Sequence, residues 1–492
     1  MSRFLTLLQQ RAEAQGNSIA FHGYRHGQVS LCDMTYQTLL EEVQQAAATL
    51  AQLKPQCIAL KASNSIDWAI VDLAAVALGI ALVPVPNFFT PDQVQHTLTS
   101  CGADLLLGDW HKDEGQVCAM IAGLKAYRAN PISPVALLSG SRKVTFTSGS
   151  TGQPKGVCLS EDNLFNVSTA LAEQVSNSVL GGRHLALLPL ATLLENITAI
   201  YVPLILGQTS ILLSGEQTGL NGSSQFDVQQ FLRALIQHRP NSLVLTPALL
   251  MALIQLVEQK PDLADSFRFI AVGGARVSAA LITRATQLGL PVYEGYGLSE
   301  CASVVALNVP HANKPGSAGK VLTHNHIKLD EQGQVWIKGN TALGYIGEPF
   351  IDAWLATGDI GELDANGYLT ITGRVKNQLI TAFGRNVSPE WVETEAQSYL
   401  SLQRMVVVGD GELKLTAVVS THNDELVVDE IQNLNSHLPD YARIGRVLCV
   451  DNPHTLQDCY TSNGKPIRAR FENWANEARD ETHVHLYNVY EG

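Results

Sequence analysis

Ten consecutive residues concentrate hydrogen-bond donors as no other part of this chain does: Thr147-Ser148-Gly149-Ser150-Thr151-Gly152-Gln153-Pro154-Lys155-Gly156. Glycines leave backbone N–H groups uncovered, the hydroxyls add short donors, and Lys155 adds a point charge. A polyphosphate needs this combination. The preceding Arg142-Lys143-Val144-Thr145-Phe146 reads as a short strand rich in β-formers. The pair is therefore a strand-to-loop element, the usual place for an anionic ligand in an α/β sheet. It is not the common P-loop, whose lysine is followed by a Ser or Thr that reaches magnesium. Here Pro154 precedes Lys155 and Gly156 follows it, which argues against kinases and P-loop NTPases.

Four further segments carry compatible chemistry. In Tyr293-Glu294-Gly295-Tyr296-Gly297-Leu298-Ser299-Glu300, an aromatic ring flanked by glycines can face a purine. Ser299 and Glu300 can reach a phosphate and its magnesium. In Trp354-Leu355-Ala356-Thr357-Gly358-Asp359, an acid after a tight turn suits vicinal hydroxyls, as in dinucleotide sites. Gly373-Arg374-Val375-Lys376 continues to Phe383-Gly384-Arg385-Asn386-Val387-Ser388-Pro389-Glu390, and Thr461-Ser462-Asn463-Gly464-Lys465-Pro466 follows near the C-terminus. Asn-Gly marks a turn, and Lys465 at its edge can reach into a neighbouring site.

In this order, the five segments resemble the motifs of the acyl-adenylate-forming superfamily, which includes acyl-CoA synthetases, peptide-synthetase adenylation domains and firefly-type luciferases. The resemblance covers almost the whole chain. It implies that Thr147, Ser148, Gly149, Ser150, Thr151, Gly152 and Lys155 hold the phosphates of ATP, and that Gly274, Gly297 and Arg385 are cofactor contacts. It implies that Tyr296 stacks on adenine and that Ser299, often threonine in the family, contacts the α-phosphate. Glu300 and Thr147 would hold Mg²⁺, Asp359 the ribose, and Arg374 the ribose or a phosphate. Lys376 would be a hinge, Gly384 would swing in to line a pantetheine tunnel, and Lys465 would be the catalytic lysine. The form Gly384-Arg385-Asn386-Val387-Ser388-Pro389-Glu390 is similar to that of fatty acyl-CoA synthetases.

The implied chemistry explains the parts. A carboxylate is a poor acyl donor. Its attack on the α-phosphate of ATP gives acyl-AMP and expels pyrophosphate. Two anions must meet, so catalysis is mainly charge neutralisation and alignment. A thiol must later reach the same carbonyl, and rotation about Lys376 would withdraw Lys465 and admit the Gly384 loop.

The acid is less constrained. Leu188-Pro189-Leu190-Ala191-Thr192-Leu193-Leu194-Glu195 resembles the Pro-Leu-Ala-His-x-x-Glu stretch of long-chain acyl-CoA synthetases, with Thr192 where histidine is common. Thr192 and Glu195 are expected at the substrate pocket, with Gly273 and Ala275 as a second wall. No aspartate occurs between Arg183 and Gly207 to pair with a substrate amino group, which weakens an amino-acid substrate. A medium- to long-chain fatty acid is expected, with an aryl acid as the alternative. The acceptor is CoA or, alternatively, the phosphopantetheine of an acyl carrier protein arriving in trans.

The elements that must position these residues are of α/β type. From about residue 35 to 310, helical periodicity alternates with short apolar runs such as 57–60, 103–107, 185–188 and 242–245, the pattern of parallel strands covered on both faces. From Gly319 to Arg374 the texture becomes strand and turn, with a hairpin over 361–371. The expected architecture is a large N-terminal domain of layered α/β subdomains over residues 1–374, including a small β-rich subdomain from about 319. A small mobile α+β domain over 375–492 carries Lys465. A net charge of −13 argues against a nucleic-acid surface. The apolar stretch from Trp68 to Pro86 carries Asp72 and reads as helix, Gly79 and strand rather than a membrane span. Eight singly placed cysteines without a Cys-x-x-Cys pair, no secretory leader and no lipidation signal lead to an expectation of a cytoplasmic enzyme.

Overall fold

The computed structural model describes residues 2–111, 116–129, 136–147, 154–222, 225–382, 385–421, 423–461, 464–477 and 484–489. Among these, two nine-stranded sheets dominate the first 350 residues. One has Ser242–Leu245 near its centre, flanked by Arg183–Ala186 and Phe269–Val272, with Val292–Tyr296 beyond; these strands run parallel. The other places Cys57–Lys61 and Ala81–Pro84 side by side in parallel, and Lys143–Thr147 next to Ala81–Pro84.

The largest core cluster draws on both sheets and on the helices Ile66–Leu78 and Glu161–Val179. Ile66–Leu78 has 11 of its 13 residues buried, apolar side chains on every face together with Asp67 and Asp72. Ser65 caps its first turn and Gly79, at φ 72°, ends it. Thus the stretch from Trp68 is helix, glycine and buried strand. No helix among the described residues is long and apolar enough to cross a membrane.

One polar knot ties this core to the site. Lys143, wholly buried at the start of its strand, donates to Asp72 Oδ1 at 2.5 Å and to Tyr201 Oη at 3.0 Å, and also to Asn196 Oδ1. Tyr201 donates in turn to Asp72 Oδ2 at 2.7 Å. The knot thereby fixes the strand that ends in Thr147 against the segment 193–201.

The strand-and-turn region forms a four-stranded antiparallel sheet, Asn325–Leu329, Gln334–Gly339, Leu355–Leu363 and Leu369–Arg374. After the single 3₁₀ turn Val375–Asn377, a second four-stranded sheet comprises Val406–Val408, Leu415–Ser420, Ile444–Val450 and Val484–Asn488. Two core clusters, one including Val392 and Ile431 and the other Phe471, draw only on residues from Leu379 onward.

Candidate active site

The parallel strands of the first sheet end together, and their C-terminal ends open onto a cavity of about 470 Å³. This is where α/β sheets bind ligands. Thr246, Gly273, Gly274, Tyr296, Gly297 and Ser299 line it from those ends. Gly297 is required for close approach: an added Cβ would sit 1.5 Å from the carbonyl oxygen of Ser303. Gly274 has φ 80°, a left-handed conformation that disfavours other residues.

Thr147 lines the cavity from the second sheet. Its strand pairs antiparallel with Lys155–Leu159, so that Thr147 faces Lys155 across the ladder. Ser148, Gly149, Ser150, Thr151 and Gly152 lie outside the described residues, as does Gly384. Lys465, from the C-terminal region, lines the same cavity as Thr147, Tyr296 and Ser299. It keeps contact with solvent, yet crowding by protein atoms, followed by the charge of Arg374, lowers its pKa, while Asp359 opposes the shift.

Two pairs extend the site. Tyr296 donates its hydroxyl hydrogen to Asp359 Oδ2 at 2.6 Å, and Arg374 Nε lies 2.8 Å from Asp359 Oδ1. Burial and the Asp359 charge raise the Tyr296 pKa well above its ordinary value, which keeps that proton in place. Second, Tyr345 donates to Glu300 Oε1 at 2.8 Å while Lys155 Nζ sits 4.8 Å from the centre of its ring. Tyr345 therefore holds the lysine and the acid together, through a cation–π contact with one and a hydrogen bond to the other. Glu300 and Thr147 offer only oxygen ligands, the donor set Mg²⁺ takes alongside phosphate oxygens and water. Thr147 lines the cavity, whereas Glu300, whose Oε1 accepts from Tyr345, is not among the residues lining it.

Two expected pocket residues lie elsewhere. Glu195 does not line the cavity; it is wholly buried behind His184, facing the strand Arg183–Ala186 while Thr192, Leu194 and Thr198 face the cavity. Ala275 is exposed and off the cavity wall, because the chain turns outward after Gly274. Thr192 and Gly273 do line it. Lys376 occupies the turn after Leu369–Arg374, and Arg385 is exposed. Sequence reasoning missed Tyr345, His184 and Ser242. For Ser242 a signal existed: a polar residue opening an otherwise apolar buried strand.

A family model described as AMP-binding enzyme matches residues 8–346. The chain belongs to the AMP-binding enzyme family. This AMP-binding enzyme is 25% identical to the long-chain-fatty-acid–CoA ligase FadD15 of Mycobacterium bovis, over 79% of this chain and 77% of that protein. It is 27% identical to 2-succinylbenzoate–CoA ligase of Bacillus pumilus, over 83% and 87%. Its fold is similar to o-succinylbenzoate CoA synthetase (MenE) of Bacillus subtilis in complex with ATP and magnesium ion. The TM-score is 0.75 at 22% identity, covering 94% of this chain and 98% of that one.

Proposed function

We propose that this AMP-binding enzyme activates a carboxylic acid with ATP to acyl-AMP and pyrophosphate, then transfers the acyl group to the thiol of CoA. The observation that carries this reading is that Lys465, Ser299 and Thr147 share one cavity with an apolar tunnel. The tunnel runs between the first sheet and the helix Glu161–Val179, past Ala271, Val244, Leu171 and Val175 to Val179.

In the first step the acid's carboxylate oxygen attacks the α-phosphorus of ATP and the bond to the bridging β-phosphate oxygen breaks. Lys465 sits between the two anions and neutralises charge as it accumulates. Ser299 donates to the α-phosphate, and the donors of 147–155 hold the departing pyrophosphate. Glu300 and Thr147 would hold Mg²⁺, which would supply further neutralisation of the phosphates. Tyr296 packs on adenine, while Asp359, oriented by Tyr296 and Arg374, accepts from the ribose. In the second step the thiol attacks the acyl carbonyl and AMP leaves. Rotation about Lys376 removes Lys465 from the thiol's route and brings in the Gly384 loop.

The tunnel suits an acid of moderate length. Ser242 to Thr246 spans four residue steps, about 13 Å at ~3.3 Å per residue, and both ends line the cavity. A medium-chain acyl group, or an aryl acid with an extended substituent, fills that length. The relatives that act on long-chain fatty acids and on 2-succinylbenzoate support both shapes. The test is to follow AMP and acyl-CoA with medium-chain and aryl acids. AMP and thioester in equal amounts support the reading, and ADP in place of AMP contradicts it.

A further inference from the structure

The far end of the tunnel is polar, where a plain hydrocarbon tail needs only apolar walls. His184, the second residue of Arg183–Ala186, and Ser242, the first of Ser242–Leu245, pair across adjacent parallel strands and both line the cavity. His184 Nδ1 lies 3.0 Å from Ser242 Oγ. Its other ring nitrogen, Nε2, lies 3.7 Å from Glu195 Oε1. Each of the three residues is at least nine-tenths buried. Neither His184 Nε2 nor either carboxyl oxygen of Glu195 has a hydrogen-bond partner of normal geometry among the described residues. The three form a chain, Glu195 to His184 to Ser242, that ends on the cavity.

Charge decides which way the chain points. A lone anion buried at this depth is costly, so the favoured states of the pair are neutral overall. One is carboxylate with imidazolium; the other is carboxylic acid with neutral imidazole, the acid proton directed at Nε2. Both put a proton on Nδ1. His184 then donates to Ser242 Oγ, and the Ser242 O–H is left to donate into the cavity. Only a net-negative pair would reverse the chain. Burial is the largest influence on Glu195 and raises its pKa, while His184 and the backbone amides of Leu187 and Leu188 act in the other direction.

We propose, resting on the acid-activating reading above, that the substrate carries a neutral oxygen acceptor (a ketone, ether or alcohol oxygen) at its end remote from the activated carboxylate, and that Ser242, oriented by His184 and Glu195, donates to it. A second carboxylate is disfavoured, because the His184–Glu195 pair is neutral overall and no Lys or Arg among the described residues lines that end to balance it. Ser242 is the binding residue, and His184 and Glu195 position it.

The test measures kcat/KM for pyrophosphate exchange with acids of matched length ending in a methyl group, a methyl ketone or an alcohol. The wild type and Ser242→Ala are compared. A buried donor left unpaired is expected to cost the methyl-ended acid about tenfold or more in the wild type. In Ser242→Ala that ratio falls toward one, mainly through KM. A positioning role for Glu195 predicts that Glu195→Leu narrows the same ratio, while Glu195→Gln, whose neutral amide N–H can be directed at Nε2 as the acid proton is, keeps it. Equal or better use of the methyl-ended acid by the wild type overturns the proposal and leaves the ligase reading intact, and so does an unchanged ratio in a folded Ser242→Ala. Exchange with no acid at all overturns the ligase reading, and the proposal with it.

Discussion

Tyr296 and Asp359, 63 residues apart, are joined by a hydrogen bond of 2.6 Å from the phenol to the carboxylate. The residue proposed to face adenine therefore orients the one proposed to hold ribose. Tyr296→Phe keeps the ring and removes the donor. A hydrogen bond to a charged group contributes about 1.5–3 kcal/mol, so KM for ATP is expected to rise about tenfold or more. Pyrophosphate exchange at varied ATP checks this, and an unchanged KM counts against the coupling.

Arg374 tunes Lys465. Its positive charge lowers the Lys465 pKa directly, and its pairing with Asp359 offsets the carboxylate that raises it. Adenylation needs the protonated amine, so activity falls as pH rises through the depressed pKa. Arg374→Ala removes the repulsion and unmasks Asp359, which moves the Lys465 pKa up. The alkaline limb of the kcat profile is expected to shift to higher pH, whatever the loss in ATP affinity. A shift to lower pH would contradict the arrangement.

The knot of Lys143, Asp72, Asn196 and Tyr201 is structural. Burial is the main cause that lowers the Lys143 pKa, and Asp72 opposes it. Lys143→Met leaves Asp72 buried without its cation and is expected to destabilise by about 3–5 kcal/mol. Replacing Asp72 by leucine at the same time should recover much of that loss. Urea unfolding of the single and double variants checks the order, and a single variant as stable as the wild type refutes it.

Lys376 lies in the one-turn 3₁₀ segment Val375–Asn377, between the end of Leu369–Arg374 and the start of the C-terminal core. Fixing φ there with proline restricts rotation. Lys376→Pro is expected to retain acyl-AMP formation and lose thioester formation at least tenfold. The two half-reactions are measured separately, by exchange and by acyl-CoA release. Equal loss of both would argue against a hinge at this residue.

What could be read from sequence follows the range of the interactions. The helix over Ile66–Leu78, its stop at Gly79 and the buried strand after it are encoded locally, by apolar continuity and a left-handed glycine. The paired strands at Asn325–Leu329 and Gln334–Gly339 are likewise set by the turn between them, where Asp330 Oδ1 accepts from the amides of Gln332 and Gln334. The motif residues Thr147, Tyr296, Ser299 and Lys465 are legible as chemistry because their neighbours in sequence are glycine and hydroxyl residues. Tyr345 is not, because what places it between Lys155 and Glu300 is the edge pairing of Gly344–Tyr345 with Lys155–Leu159. The motif alone puts Glu195 on the pocket wall. Its rotation behind His184 depends on how residues 193–201 pack beneath the sheet, a contact across the fold that spacing does not encode.

The central claim is that Lys465 brings carboxylate and α-phosphate together in the cavity it shares with Thr147 and Ser299. The most direct measurement is carboxylate-dependent ATP–pyrophosphate exchange by the wild type and Lys465→Ala, with ATP binding measured on the same preparations. Loss of a preorganised donor of this kind costs about 10²–10³ in rate. The account predicts a loss of that size in exchange with ATP binding kept within a few-fold. Exchange by Lys465→Ala at close to the wild-type rate would contradict it.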